Sequence, residues 1–299
     1  MWKHLPWPPG RLWTGDPDVV HGTNAFVPPT HAPSVVTVHD LWNRHLGHSN
    51  WKMQMSQLRK CVNRANCLFH AVSNAVSADL QDVFPSLDAS RIFVAYHGPP
   101  DSERLSSAED PLEPSFDAPS IVAFGALGPR KNYVRLLAAF SRLTDILPGA
   151  TLTIAGPHCD RDTFSSICQA HASSSAADQI LIRGWVPDSE RRSLLKTATV
   201  LAYPSLYEGF GFPVLEAQHA GLPVVAANAG GIPEVAGSAA LLVDPFDVDE
   251  IADGLIRAVT DSALRDSLIR AGRSNVERFS WEDQAIALTT AYKTVVEII

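Results

Sequence analysis

Arg130 and Lys131 stand side by side in Gly125-Ala-Leu-Gly128-Pro129-Arg130-Lys131-Asn132, between an apolar run and an amphipathic one. A planar guanidinium fork beside a compact ammonium suits a diphosphate. Gly125 and Gly128 would let backbone approach such a ligand closely. The same residues also fit a tight turn carrying two solvated cations. A second group is Tyr207-Glu208-Gly209-Phe210-Gly211-Phe212-Pro213-Val214-Leu215-Glu216. Its glycines precede a helix with Pro213 in the first turn, where proline is favoured. The N–H groups and dipole of such a helix end attract an anion. Glu208 enters the loop and Glu216 follows in the helix, and carboxylates accept hydrogen bonds from neighbouring hydroxyls such as a ribose or hexose diol. An acidic helix end with a buried, paired glutamate is the structural alternative. It is the weaker one for Glu216 in an apolar helix, because a buried carboxylate left unpaired is expensive. A third position is His39-Asp40. A histidine at a strand end can donate to a sugar oxygen or stabilise developing charge, or serve structure alone. His97 occupies an equivalent place.

These groups need elements to position them. Val35–Val38 is β-branched and reads as a buried strand running into His39. A helix is expected over Ser49–Ala65, a strand over Leu68–Ala71, a helix capped by Ser73, and a strand over Ile92–Ala95. Asp101–Ser120 is rich in Pro, Ser, Asp and Glu, lacks periodicity and reads as a linker. Beyond it, Ile121–Phe124 reads as a strand. Leu136, Phe140, Leu143 and Leu147 then share one helical face, stopped by Pro148-Gly149. Strands are expected at Thr151–Ala155, Gln179–Arg183, Val200–Tyr203, Val224–Ala226 and Leu241–Val243, with helices between, including Ser189–Ala198. Strands alternating with helices at this spacing predict parallel sheets covered on both faces, with ligands at the carboxyl ends of the strands.

The 299 residues suffice for about two domains. With 45% hydrophobic and 19% charged residues the chain is globular rather than disordered. Its net charge of -8, without a basic block, speaks against nucleic acid. An anionic ligand must therefore be held by local cations and backbone dipoles. Cys61, Cys67, Cys159 and Cys168 lack metal or disulfide spacing and read as reduced thiols of a cytoplasmic protein. His158-Cys159-Asp160 reads as a loop rather than a metal site, so no metal is expected. No run approaches the ~20 apolar residues of a membrane span. The N-terminal MWKHLPWPPGRLW reads as a short segment packed by its tryptophans. The chain is expected to be soluble, or at most peripheral at the inner face of the membrane.

At these residues the sequence resembles the large retaining GT-B glycosyltransferase family often called group 1 or family 4. The core match is LYEGFGFPVLEAQHAGLPVVAANAGGIPEVAG, Leu206 to Gly237, with the family's two glutamates as Glu208 and Glu216. FGALGPRKN, IAGP, RGWVP and LLVDP surround it in the family's order. The N-terminal half matches more loosely through VVHGTN, VVTVHDLW and VSNAVSADL, most like the mannosyltransferases that build bacterial surface polysaccharides.

The resemblance implies an α/β GT-B fold, two Rossmann-like domains facing a cleft, with the N-terminal one incomplete. The expected division is 1–115 for the acceptor side and linker, 116–280 for donor binding, and 281–299 for a helix packing back on the N-terminal domain. It implies that Arg130 and Lys131 hold the donor diphosphate, with Gly128 and the loop Gly209, Phe210, Gly211 and Phe212 presenting backbone to sugar and phosphates. Glu216 is implied to bind the ribose, Glu208 the donor sugar, Trp185-Val186 the base, and His39 to sit near the anomeric centre. The donor would be GDP-mannose or a UDP-sugar, used without a cofactor or metal, and the acceptor a glycan or lipid-linked species. No carboxylate pair is obviously placed for double displacement, which favours front-face transfer.

The family normally opens with a strand, a glycine-rich loop and a long helix before anything like VVHGTN, whereas here Val19-Val20-His21-Gly22 comes almost at once. The N-terminal sheet is therefore expected to be short of strands, with edges that need covering. A non-catalytic nucleotide-sugar-binding homologue or partner subunit is the alternative reading. A dinucleotide oxidoreductase is disfavoured, because no G-x-G-x-x-G lies between a strand and a helix with an acid ~20 residues on.

Overall fold

The computed structural model describes residues 17–28, 30–42, 51–99 and 118–297. The N-terminal tryptophan segment, most of the linker predicted from Asp101 with its boundary at 115, and the first two residues of the helix predicted from Ser49 lie outside these. The chain divides into two compact units, Met1–Gly98 with Ser280–Ile299, and Pro99–Phe279.

The first unit holds a parallel four-stranded sheet in sequential order: β1 (Val20–Gly22), β2 (Ser34–Val38), β3 (Cys67–Ala71) and β4 (Ile92–Val94). Helix α1 (Trp51–Val62) joins β2 to β3, and α2 (Asn74–Val83) joins β3 to β4. The predicted cap is present: the Ser73 side chain accepts the Val76 N–H. Both β2 and β3 are buried throughout, as expected of parallel strands covered on both faces. The last helix, which will be α10 (Trp281–Glu297), lies in this unit, where Ala291 and Val295 pack on Val35 of β2 and Leu68 of β3.

The second unit is a parallel six-stranded sheet. Its strands are β5 (Ser120–Phe124), β6 (Thr151–Ala155), β7 (Ile180–Arg183), β8 (Val200–Tyr203), β9 (Val224–Ala227) and β10 (Leu241–Val243), in the order β10-β9-β8-β5-β6-β7. Alternation along the strands divides the apolar residues between two cores. Ile121, Ala123, Leu152 and Ile154 face α3 (Tyr133–Ile146), α4 (Arg161–Ala172) and α8 (Val248–Thr260), meeting Leu136, Phe140, Leu143, Ile167 and Leu255. Val122, Phe124, Leu201 and Tyr203 face α5 (Asp188–Thr197), α6 (Phe212–His219) and α7 (Ile232–Ala236), meeting Leu195, Val214, Ala217 and Ile232. Helix α9 (Ser262–Val276) packs on α6, with Asn275 Nδ2 donating to Gln218 Oε1 at 2.7 Å.

Strand order reverses between β5 and β8. From β5 the chain winds one way through β6 and β7, and from β8 the other way through β9 and β10. The helices that follow β5 and β8 therefore pack on opposite faces of the sheet, and the carboxyl ends of these two strands form the crevice that is the usual ligand position of an open α/β sheet. Arg130 and Lys131 follow β5, and Glu208 follows β8.

Candidate active site

Two glycines shape the loop after β5. Gly125 has φ +137°, and a Cβ there would lie 2.4 Å from Lys131 Cε. Only a residue without a side chain leaves that path open to the lysine. A Cβ on Gly156, after β6, would lie 1.9 Å from the Gly125 carbonyl oxygen, so the loops after β5 and β6 touch backbone to backbone. Gly128 then opens a single 3-10 turn, Pro129–Lys131, and Asn132 ends it in the left-handed region at φ 60°, ψ 30°. Asn132 Nδ2 donates to the carbonyls of Pro204 at 3.0 Å and Pro245 at 2.6 Å, tying the loops after β5, β8 and β10 together. The Leu206 N–H donates to the Arg130 carbonyl at 2.8 Å and seats the β8 loop on the turn.

That seating brings Glu208 onto both cations. Lys131 Nζ donates to Glu208 Oε1 at 2.6 Å and to the Tyr203 hydroxyl at 2.9 Å. It also lies 4.5 Å from the centroid of the Tyr203 ring. Arg130 Nη1 pairs with Glu208 Oε2 and donates to the Tyr207 carbonyl at 3.3 Å. Lys131 and Glu208 are only 7% and 8% exposed, which excludes a turn with two solvated cations. Burial pushes the Glu208 pKa up, but Lys131 and Arg130 outweigh it and hold the carboxyl below its ordinary range. Burial, helped by Arg130, pulls Lys131 below an ordinary lysine, and Glu208 opposes that pull. Burial raises Tyr203 well above a free tyrosine.

On the other side of the crevice, Gly211 precedes α6 and Pro213 occupies the first turn, as expected. Phe210 is buried and meets Phe212 and Phe279 edge-on, at centroid distances of 5.3 Å and 5.8 Å. This packing holds the Gly209–Phe212 segment against the unit's interior. Glu216 is paired, the alternative that the sequence made the weaker one. Arg191 of α5 donates to its Oε2 through Nε at 3.0 Å and also through Nη2. No local signal links the two, because Arg191 comes 25 residues earlier and reaches Glu216 only through the fold. Trp185 is 72% exposed in the loop between β7 and α5, and Val186 beside it packs against the core.

His39 belongs to the first unit. Its Nε2 donates to the Thr23 carbonyl at 2.9 Å and its ring stacks on His97 at 5.5 Å. His97 is buried, accepts from Gln284 Nε2 of α10 at 2.9 Å, and has its pKa lowered to about 4 by burial and then by His39. Beside them runs a partly buried chain: the Tyr292 hydroxyl to His21 Nδ1 (2.7 Å), His21 Nε2 to Thr37 Oγ1 (2.8 Å), Thr37 Oγ1 to His70 Nδ1 (3.0 Å), and His70 Nε2 to the Ala95 carbonyl (2.8 Å). No grouping of three metal-ligating side chains occurs among the described residues. Likewise, no helix among them is long and apolar enough to cross a membrane.

Sequence reasoning missed Tyr203, Asn132 and Arg191. Tyr203 read as a core strand residue and is one, with its hydroxyl turned to Lys131. Asn132 carried a usable signal, since asparagine is the residue besides glycine most at ease at positive φ. Arg191 sits beside Arg192 in a polar helix, and nothing local separates the two.

The comparisons agree with this architecture. The model of the Glycosyl transferases group 1 family matches residues 110–275, more than half of the chain, and that of Glycosyltransferase Family 4 matches residues 4–102. O-antigen chain mannosyltransferase B of Escherichia coli is 28% identical over 296 residues, covering 92% of this chain and 74% of that protein. The serotype-specific mannosyltransferase WbdA of Escherichia coli is 25% identical over 90% of this chain, which spans only 36% of WbdA. Among solved structures, Anabaena HepE in complex with UDP and glucose superposes with a TM-score of 0.70 at 21% identity, covering 89% of this chain and 71% of that one. WaaG, a glycosyltransferase involved in lipopolysaccharide biosynthesis, does so with 0.70 at 17% identity, covering 95% and 78%. With the reversal of strand order and the Arg130–Lys131–Glu208 cluster in place, the chain belongs to the glycosyl transferases group 1 family and is a glycosyltransferase of the GT-B fold.

Proposed function

We propose that the chain transfers a hexose, mannose in the first instance, from a nucleoside diphosphate sugar to a hydroxyl of a glycan or lipid-linked acceptor, with retention of configuration. The observation that carries this is the pairing of Arg130, Lys131 and Glu208 at the point where strand order reverses. The mannosyltransferase relatives support the choice of sugar.

In this reading Arg130 and Lys131 face the donor diphosphate. The bond from the anomeric carbon to the β-phosphate oxygen breaks, and the acceptor oxygen bonds to the same face of that carbon. The acceptor proton passes to the departing phosphate oxygen, and a nucleoside diphosphate leaves. Charge grows on the β-phosphate in the transition state, where each well-placed cation or N–H donor contributes roughly 3 kcal/mol. Glu208 keeps the buried Lys131 charged and offers its carboxylate to a hydroxyl of the transferred sugar. Gly128 and the Gly209–Phe212 loop supply backbone to the phosphates and sugar, Trp185 and Val186 border the base, and Glu216 meets the ribose. The resemblance alone assigns His39 of the first unit a contact to the sugar.

Calorimetric titration with GDP and UDP, followed by transfer from GDP-mannose and UDP-hexoses to lipid-linked and glycan acceptors, tests this reading. Saturable nucleotide binding and transfer, both lost in Lys131→Ala, are expected. Normal turnover by Lys131→Ala and Glu208→Ala would place the chemistry elsewhere.

A further inference from the structure

The contact between Arg191 and Glu216 is lopsided. Two guanidinium nitrogens, Nε and Nη2, converge on one carboxylate oxygen, Oε2. A fork-to-fork pair would have used both oxygens. Glu216 Oε1 and Arg191 Nη1 thus make no hydrogen bond among the described residues, yet neither is sealed from solvent, since Ser205 Oγ is the sole buried unpartnered side-chain atom found there. The two side chains keep 25% and 18% exposure. The guanidinium is also fixed from behind: its carbon lies 4.2 Å from the ring centroid of Phe124, the last residue of β5, immediately before the Gly125 loop.

We propose that Arg191 is a ribose-binding residue of the donor site, acting with Glu216 as a donor–acceptor pair that grips two adjacent hydroxyls of the nucleotide. This rests on the donor-site reading above and deepens it. A carboxylate alone only accepts hydrogen bonds, whereas each ribose hydroxyl both donates and accepts. One hydroxyl donates to Glu216 Oε1 while its neighbour accepts from Arg191 Nη1. A 2′-deoxyribose leaves one charged partner unsatisfied, and a site built to bind a hydroxyl discriminates strongly against an analogue that lacks it. Phe124 packs against the guanidinium, which limits its motion before the nucleotide arrives.

The test is calorimetric titration of the full chain with GDP, UDP and their 2′-deoxy counterparts. Wild type is expected to favour the ribo form of its nucleotide by about tenfold or more, one hydrogen bond to a charged group. Arg191→Leu is expected to cut that preference below about threefold, mainly by weakening the ribonucleotide, with Arg191→Lys intermediate. Glu216→Gln, which keeps the side-chain shape, is expected to reduce the preference as well. An unchanged preference in Arg191→Leu overturns the proposal. So does equal weakening of ribo and deoxy forms, the result of a cation that serves only the phosphates. If no nucleotide binds wild type, or binding ignores Lys131→Ala, the donor-site reading falls and takes this inference with it. Binding that needs Lys131 but shows no Arg191-dependent ribose preference removes this inference alone.

Discussion

Gly125 and Lys131 compete for one volume: a Cβ on the glycine would sit 2.4 Å from the lysine's Cε and 2.9 Å from its Nζ. The lysine reaches Glu208 and Tyr203 only because Gly125, six residues earlier, has no side chain and holds φ +137°. Gly125→Ala is therefore expected to displace the ammonium, weakening nucleotide binding at least about tenfold. The strained backbone adds a loss of about 2 kcal/mol in denaturant unfolding. Wild-type affinity in this variant would mean that Lys131 does not face the donor.

Lys131 and Glu208 form a buried pair, so removing one partner leaves a charge behind. Lys131→Met is expected to cost about 3 kcal/mol of stability. The double variant Lys131→Met with Glu208→Gln is expected to recover part of that loss. A thermodynamic cycle in urea measures the coupling. Additive losses would show that Arg130 alone satisfies Glu208.

Asn132 does two jobs, holding φ 60° and donating to the carbonyls of Pro204 and Pro245. Asn132→Gly preserves the first and Asn132→Ala neither. Both lose these two hydrogen bonds and the one that Asn132 Oδ1 accepts from Arg135 Nη1 at 3.0 Å, worth about 3 kcal/mol together. Alanine adds roughly 1 kcal/mol of left-handed strain. Thermal melts should rank wild type above glycine and glycine above alanine, and equal melting of the two variants would remove the conformational argument.

The pH dependence of stability should show His97. Its pKa falls from 6.5 to about 4 in the folded chain, chiefly through burial, and His70 and His21 shift the same way. Above pH 6.5 His97 is neutral folded and unfolded and contributes no slope. Between 6.5 and 4 the unfolded chain binds the proton and the folded chain does not, so stability falls with pH, by about 3 kcal/mol for His97. Glu208, depressed by its cations, adds a loss of the same sign at lower pH as it protonates. Unfolding measured at pH 7, 5.5 and 4.5 in wild type and His97→Asn isolates the histidine. An unchanged slope in the variant would assign the effect elsewhere.

Much of the fold was legible in the chain itself. The β-branched run at Val35–Val38, the apolar run at Val200–Tyr203, the helical face of Leu136, Phe140 and Leu143, the Ser73 cap and Pro213 at the head of α6 are local signals, set by covalent geometry and by the period of apolar side chains. The alternation of strand and helix determined parallel sheets, because parallel neighbours require a crossover. The motif residues that carry the resemblance are likewise contiguous in sequence.

Only the tertiary structure decided how those residues meet. The order β10-β9-β8-β5-β6-β7 is what carries Arg130 and Lys131 to Glu208, 77 residues away for the lysine. It also gives Glu216 the partner that the sequence left unassigned, Arg191. Charges in the two halves of the unit are independent along the chain and become one buried cluster because the sheet reverses direction between β5 and β8. Sequence determined which side chains could ionise. Folding decided which would be buried together, and in a low-dielectric crevice that pairing governs their protonation and availability to a ligand.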